Sequence, residues 1–117
     1  MPDPTFIPAS DTVCTAAQLA PADMDAVARA GFRSVINNRP DGEGGPGQPH
    51  SDDIRQAAEA LGLVYVYQPV DSANIRPQDV AEFGQLLAKL PPPVLAFCRS
   101  GARSRRLHDS AQQATGG

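Results

Sequence analysis

The hydrophobic and polar positions of the chain alternate between strand-like and helix-like patterns. Short apolar runs predict four strands, at 11–15 (DTVCT), 32–37 (FRSVIN), 63–70 (LVYVYQPV) and 93–98 (PVLAFC). The segments between and after them carry apolar residues at helical spacing and predict four helices, at 21–30, 51–61, 77–90 and 105–114. This β-α-β-α-β-α-β-α order favours the α/β fold class, a sandwich in which helices flank a mostly parallel sheet of about four to five strands.

Residues with strong turn and capping preferences mark where these helices begin and end. Pro21 and Pro77 suit the first turn of a helix, and Ser51 is a predicted N-cap. Gly31 and Gly62 directly follow helical segments, as C-terminal caps do.

The third strand and the long loop before it carry two further expectations. The near-continuous apolar character of 63–70 predicts a strand that is buried on both faces. The loop at 37–50 (NNRPDGEGGPGQPH) is dense in Gly and Pro. A long loop in so small a domain is more often a functional segment or a flap than a linker.

The composition indicates one small globular domain rather than two. The chain has 117 residues, of which 41% are hydrophobic and 20% charged. We assign residues 1–10 to an N-terminal tail and 11–117 to the domain. There is no apolar run of membrane-spanning length and no secretory signal pattern at the N-terminus, so no membrane partner is predicted and the cytoplasm is the expected location. In that compartment both cysteines are expected to be free thiols.

The net charge of −3 conceals an uneven distribution of charged residues. Residues 1–98 hold six Lys or Arg against twelve Asp or Glu, whereas 99–117 hold four Arg against one Asp. Acidity over most of the chain argues against a nucleic-acid partner, because binding to nucleic acid needs a broad basic surface. The local positive charge directly after Cys98 favours a small anionic ligand, and a solvated basic end of a helix is the alternative.

The segment 94–106 (VLAFCRSGARSRR) carries the candidate chemistry. A buried strand delivers Cys98 to the carboxyl edge of the sheet, where α/β folds bind ligands. Arg103 can hold an anion with two parallel hydrogen bonds, and Ser104 can donate a hydrogen bond to the sulfur. The dipole of the following helix and Arg103 together favour the thiolate, which is the nucleophilic form. The loop at the N-terminus of that helix is predicted to bind the anion, largely with backbone N–H groups, through Arg99, Ser100, Gly101, Ala102 and Ser104.

The other cysteine and the two histidines are predicted to have no chemical role. Cys14 has neither a Gly-rich loop nor a nearby arginine, so we interpret it as a packed strand residue. His50 and His108 have no partners at metal-ligand spacing, and both are expected at the surface. Neither a metal nor an organic cofactor is predicted.

Three stretches of the chain have a specific order and spacing: QLAPADMDAVARAGFRSVINNRPDGE (18–43), VYQPV (66–70) and FCRSGARS (97–104). Together they resemble the phosphatase-like domain of bacterial beta-lactamase hydrolase-like proteins, over roughly residues 11–108. Members of that family are similar in fold to dual-specificity protein phosphatases, and some have been named sulfur transferases. The resemblance implies a cysteine-phosphatase-like fold with Cys98 as nucleophile and 99–104 as the anion loop.

Two features depart from the pattern that the resemblance implies. Protein phosphatases of the cysteine class place their arginine six positions after the cysteine, whereas Arg103 follows Cys98 by five, with Ser104 in the sixth position. This Cys-x4-Arg spacing is closer to rhodanese-like sulfurtransferases, and the shorter loop offers one fewer amide to a phosphoryl group. Family members also continue into further C-terminal helix, whereas 111–117 (AQQATGG) has the character of a frayed tail, so the domain is expected to be short at that end.

Phosphatase chemistry needs a general acid to protonate the leaving oxygen. Asp71 follows the strand at 63–70, and its position matches the acidic residue of dual-specificity phosphatases. The alternative is a turn aspartate bonded to its own backbone. Asp41 is a weaker candidate for the acid. A strand that ends on the same sheet edge precedes three candidates for lining the pocket, which alternatively form only a turn: Asn37, Asn38 and Arg39.

Three functions are compatible with these residues. The first is a phosphatase-like hydrolase that works through a covalent Cys98 intermediate, with Arg103 holding the transferred group and Asp71 as the acid. The second is a rhodanese-like sulfurtransferase that carries a persulfide on Cys98 and needs no general acid. The third is a non-enzymatic module that binds an anion or a partner. Both enzymatic hypotheses predict a small anionic substrate, either a phosphoester or a sulfane-sulfur donor.

Overall fold

A computed structural model describes residues 3–116, with side chains for residues 3–114. One sheet contains five strands, β1 (Ile7–Pro8), β2 (Val13–Ala16), β3 (Ser34–Asn37), β4 (Val64–Tyr67) and β5 (Val94–Phe97). Four helices accompany it, α1 (Met24–Arg29, after a 3₁₀ turn at Pro21–Asp23), α2 (Ser51–Ala60), α3 (Pro77–Lys89) and α4 (Ala102–Gly116). In the part of the chain described, no helix has the length and apolar character needed to cross a membrane.

The sheet has the strand order β1-β2-β5-β3-β4. Strands β2, β5, β3 and β4 run parallel, and β1 pairs antiparallel with β2. The predicted α/β class and the mostly parallel sheet are therefore confirmed. Strand β1 falls in the segment that we assigned to a tail, where its two residues extend one edge of the sheet.

Two hydrophobic cores lie on opposite faces of the sheet, because successive strand residues point to opposite sides. The first core packs the sheet against α1 and α2, and its fully buried residues include Val27, Val35, Ile54, Leu95 and Phe97. The second packs the other face against α3 and α4, and its buried residues include Ile36, Phe83, Val94, Ala96 and Leu107. Strand β5 contributes to both cores and is flanked by β2 and β3, so its carboxyl end lies at the centre of the sheet edge.

The prediction that the third strand is buried on both faces is wrong. Strand β4 is at the edge of the sheet and pairs only with β3 among the described strands, which leaves Val64 and Tyr67 41% and 39% exposed. Tyr65 packs in the first core. The Tyr67 hydroxyl accepts a hydrogen bond from the Asp41 N–H at 2.8 Å, so this edge aromatic anchors the loop that follows β3.

The start of α2 and the end of α4 differ from the sequence prediction. Ser51 is the first residue of α2 rather than its N-cap, and its N–H donates to Oδ1 of Asp41 at 2.8 Å. A carboxylate in that position is stabilising because the N-terminus of a helix carries partial positive charge. The frayed tail predicted for 111–117 is wrong over the described residues, since α4 continues to Gly116 and Ala111 packs in the second core.

The two histidines differ in their surroundings. His50 is exposed, as predicted, but His108 is only 3% exposed, so its predicted surface position is wrong. Its Nδ1 lies 3.0 Å from Oδ1 of Asp109. Cys14 is a half-buried residue of β2, as predicted, and burial raises the pKa of its thiol.

Candidate active site

The carboxyl end of β5 holds Cys98 at the centre of the sheet edge. The side chain is almost fully buried, with 1% of the residue exposed. Its backbone N–H donates to the carbonyl oxygen of Ala16 at 3.3 Å, which ties the residue to the end of β2. Flanking strands therefore fix where the sulfur lies.

A tight turn joins β5 to α4 directly after Cys98. Gly101 has a φ of +94°, and a Cβ at this position would lie 3.4 Å from both the carbonyl carbon and the oxygen of Ala16. Only glycine fits this turn without strain. The Gly101 N–H donates to Sγ of Cys98 at 3.1 Å. The backbone N–H of Gln18 donates to the Arg99 carbonyl at 3.1 Å and so ties the turn to the segment after β2. The sulfur thus has an N–H donor and the positive N-terminus of α4 beside it.

Arg103 occupies a buried position in the first turn of α4, with 6% of the residue exposed. Its Nη1 donates to the carbonyl oxygens of Val70 at 2.9 Å and Asn38 at 3.2 Å, and its Nη2 donates to Oε1 of Glu43 at 2.9 Å. Among the described residues its Nε has no hydrogen-bond partner. An anionic oxygen is the partner that would satisfy this buried cationic donor.

Glu43 is a residue of the site that the sequence analysis missed. Its Oε1 accepts hydrogen bonds from Nη2 of Arg103 at 2.9 Å and from Nε of Arg39 at 3.0 Å. The hydrogen bond from Arg103 is the main reason why the pKa of Glu43 lies below its usual value. The available sequence signal was a loop carboxylate four positions after Arg39, but nothing in the sequence places Arg103 beside it.

Replacing Glu43 by Gln should lower the free energy of unfolding by about 1–2 kcal/mol at neutral pH, because two buried arginines lose their shared anion. The lowered folded-state pKa means that this contribution is complete above the unfolded value of about 4.3. It is then lost as the pH falls through the folded-state pKa. Chemical denaturation of both proteins from pH 7 down to about pH 3 should show the difference narrowing. A constant difference across this range would contradict the ionic origin of the effect.

Asn38 is buried behind the site and does not line either cavity of it. The side chain is fully buried, and its Nδ2 donates to the carbonyl oxygen and to Oε1 of Gln68 at 3.1 and 3.2 Å. Its Oδ1 accepts a hydrogen bond from the Ser104 hydroxyl at 2.8 Å. The prediction that Ser104 donates a hydrogen bond to the Cys98 sulfur is therefore wrong. Its hydroxyl instead joins α4 to the loop after β3.

The side chain of Asn37 likewise bonds to neighbouring residues and lines neither cavity of the site. Its Nδ2 donates to the Tyr65 hydroxyl at 3.0 Å, and its Oδ1 accepts the Arg39 N–H at 2.9 Å. The Tyr65 hydroxyl is in turn 2.8 Å from the Ser51 hydroxyl. Of the three candidates for lining the pocket, Arg39 alone does so, while the two asparagines fix the turn that presents it.

The loop between β3 and α2 is held in place by its own side chains. Gln48 Oε1 accepts the Gly44 N–H at 2.6 Å, and its Nε2 donates to the Pro40 carbonyl at 2.9 Å. Asp41 joins the loop to both α2 and β4 through the contacts described above. These bonds make the loop a wall of the site rather than a linker.

Two adjoining cavities open over the turn after β5. The first, which we call the Cys98 cavity, has a volume of 230 Å³ and is lined by Ser72, Ile75, Cys98, Arg99, Ser100, Ala102, Arg103 and Arg106. The second, the loop cavity, has a volume of 610 Å³ and is lined by Arg39, Glu43, Gly44, Asp71, Ser72, Arg99 and Arg103. They share Ser72, Arg99 and Arg103, so the two cavities meet at these residues.

Asp71 is an exposed residue on the wall of the loop cavity. Its Oδ1 accepts the Ala73 N–H at 2.9 Å, so it forms the turn that the sequence offered as the alternative to an acid role. The two roles are compatible because a carboxylate has two oxygens. Asp41, the weaker candidate for the acid, lines neither cavity and binds the N-terminus of α2.

Comparisons of the sequence with known proteins match one protein family. The sequence model of the family described as beta-lactamase hydrolase-like protein, phosphatase-like domain, matches residues 6–115. The beta-lactamase hydrolase-like protein of Agrobacterium fabrum is 40% identical over 87 residues, which are 74% of this chain and 20% of that protein. The chain spans about a fifth of the length of the curated relatives it matches.

Solved structures show the same fold. A candidate phosphatase from Neisseria meningitidis has a TM-score of 0.86 and 34% identity, with 95% of this chain and 78% of that chain covered. Tk-PTP in its active form has a TM-score of 0.75 at 20% identity, covering 97% of this chain and 76% of that one, a likeness that shows the fold alone. The predicted cysteine-phosphatase-like fold is confirmed. Family and neighbours support a phosphatase-type enzyme and do not support the sulfurtransferase alternative.

Proposed function

We propose that this chain, which belongs to the phosphatase-like domain family of beta-lactamase hydrolase-like proteins, hydrolyses a phosphoester through a covalent intermediate on Cys98. One observation carries the proposal. The Cys98 sulfur, which accepts the Gly101 N–H, shares a cavity with Arg103, whose Nε has no partner among the described residues. A nucleophile beside a cationic donor is what the transfer of an anionic group requires.

The first step moves the phosphoryl group from the substrate to the protein. The Cys98 thiolate attacks phosphorus, a sulfur–phosphorus bond forms and the ester oxygen–phosphorus bond breaks. Arg103 Nε and the backbone N–H groups of 99–104 bind the phosphoryl oxygens, whose negative charge needs compensation in so buried a site. The leaving oxygen takes a proton from Asp71 on the wall of the adjoining loop cavity.

The second step returns the protein to its starting state. Water attacks phosphorus and gives one proton to the Asp71 carboxylate, and the sulfur–phosphorus bond breaks. Inorganic phosphate leaves, and Cys98 is again a thiolate. Glu43 takes no part in proton transfer, because its carboxylate is committed to Arg39 and Arg103 and its pKa is lowered.

Release of phosphate from an aryl phosphate by the reduced protein tests this proposal directly. We expect turnover that requires a reducing agent, since oxidation of the thiolate removes the nucleophile. Orthophosphate binding without any turnover would instead support a non-enzymatic anion-binding module.

Asp71→Asn should slow the hydrolysis of phenyl phosphate by about 10²-fold or more, because phenolate is a poor leaving group without a proton donor. The loss should be smaller for 4-nitrophenyl phosphate, whose leaving group needs less help. Asparagine keeps an oxygen for the Ala73 N–H, so the turn is preserved in this variant. Initial rates with both substrates measure the difference.

Asp41→Asn is the matched control for this experiment, since Asp41 caps α2 and lines neither cavity. We expect it to retain activity on both substrates. Equal losses on the two substrates in Asp71→Asn would contradict the role as general acid and leave Asp71 as a turn residue.

A further inference from the structure

We propose that Arg99 and Arg106 form a second anion subsite in the Cys98 cavity, and that the substrate is a small phosphoester with a second phosphate group. The inference rests on the proposed function, because it takes Cys98 as the site of the transferred phosphoryl group. It adds the substrate class, which neither the family match nor the site chemistry specifies.

The arginines around the site differ in whether an acidic partner neutralises them. Arg39 and Arg103 share Glu43, with contacts of 3.0 and 2.9 Å. Within the described part of the chain, Arg99 and Arg106 form no ion pair and no side-chain hydrogen bond, and both are exposed. No acidic residue lines the Cys98 cavity. Arg99 also lines the loop cavity, which contains Glu43 and Asp71, whereas of the two cavities Arg106 lines only the Cys98 cavity.

The lining of the Cys98 cavity brings these two charges near the sulfur, since the cavity is bordered by Cys98, Arg99 and Arg106. Arg99 directly follows Cys98 in the anion loop, and Arg106 lies on the same face of α4 as Arg103, three residues further along. That spacing is about 4.5 Å of axial rise. Arg106 therefore lines the Cys98 cavity beside Arg103, and the second group of the same ligand would lie between Arg106 and Arg99.

Charge favours a phosphate group over a single carboxylate. A phosphate monoester carries a charge of about −1.5 to −2 at neutral pH, which matches two guanidinium groups better than a single carboxylate does. Guanidinium forks also match phosphate oxygens in geometry.

The alternative, a basic helix end that only interacts with solvent, fits less well. Arg105 and Arg106 are adjacent in α4, and of these two only Arg106 lines the Cys98 cavity. Arg105 instead pairs with Asp109 at 3.1 Å and does not line the Cys98 cavity. In a chain of net charge −3, the arginine without a partner is the one that faces the site.

Calorimetric titration with methylenediphosphonate and methylphosphonate tests the subsite. Both probes have carbon–phosphorus bonds that the proposed chemistry does not cleave, and they differ in one phosphonate group. The unaltered protein should bind the diphosphonate more tightly, and Arg106→Ala should reduce the affinity ratio by about threefold to tenfold. Arg99→Ala should do the same, whereas Arg105→Ala, which removes the same formal charge from the same helix, should leave the ratio unchanged.

Two results for the affinity ratio would overturn the subsite without overturning the proposed function. A ratio that Arg106→Ala does not change, or that Arg105→Ala lowers equally, would remove the subsite even if aryl phosphates are hydrolysed. Absence of phosphate release from both 4-nitrophenyl phosphate and a bisphosphorylated ester would overturn the proposed function, and the substrate class with it.

Discussion

Cys98→Ser should lower kcat for aryl phosphate hydrolysis by at least about 10⁴-fold, because the protein then lacks the proposed nucleophile. A serine hydroxyl is close in size to the thiol and still accepts the Gly101 N–H, so the buried site keeps its shape. Phosphate release measures the loss, and the thermal unfolding midpoint of the variant should stay near that of the unaltered protein.

Cys14→Ser is the matched control for this substitution. Cys14 is half-buried in β2, and burial raises the pKa of its thiol, so it stays protonated at neutral pH. We expect full activity from this variant. Comparable losses in both cysteine variants would contradict a specific role for Cys98.

Arg103→Lys should lower kcat/KM by about 10²- to 10³-fold, even though the charge is kept. The guanidinium donates to Val70, Asn38 and Glu43 at once and still has Nε available for the substrate. A single ammonium group cannot satisfy all of these partners. The Asn38 carbonyl keeps the Val70 N–H as a donor, but the Val70 carbonyl loses Arg103 Nη1, which should also cost about 1–3 kcal/mol of stability.

Two measurements separate catalysis from folding in the Arg103→Lys variant. Rates are compared below the unfolding midpoint of the less stable protein, and inhibition by orthophosphate is measured in parallel. We expect weaker inhibition in the variant, because the proposed role of Arg103 is to bind the phosphoryl oxygens. Arg105→Lys, at an exposed helix pair with Asp109, should change neither quantity. Unchanged orthophosphate inhibition in Arg103→Lys would contradict the proposed contact.

Local patterns predicted most of the fold. The apolar runs that became β3 and β5, and the helical spacing of Val80, Phe83 and Leu87 in α3, depend on neighbours a few positions away. The failures involve long-range pairing. Nothing in the sequence of β4 indicates whether a strand lies on one side or both, so its edge position could not be predicted.

The candidate site divides in the same way. Cys98, Gly101 and Arg103 lie within six residues, and a strand, a turn and a helix suffice to bring them together. Glu43 reaches Arg103 across 60 positions, and the Asn38 bond to Ser104 spans 66. Such contacts depend on how the loop after β3 folds over α4, which no short-range pattern contains. The sequence therefore indicated Cys98 and Arg103 as neighbours in the site and missed Glu43, the carboxylate that binds Arg103.

Intact mass after rapid acid quenching, during turnover of an aryl phosphate, tests the covalent mechanism most directly. We expect a mass gain of one phosphoryl group, located on the peptide that contains Cys98. The adduct should be present in Cys14→Ser and absent in Cys98→Ser. Turnover without any adduct would contradict the covalent mechanism, provided that formation of the adduct is shown not to limit the rate. An adduct that persists in Cys98→Ser would contradict it as well.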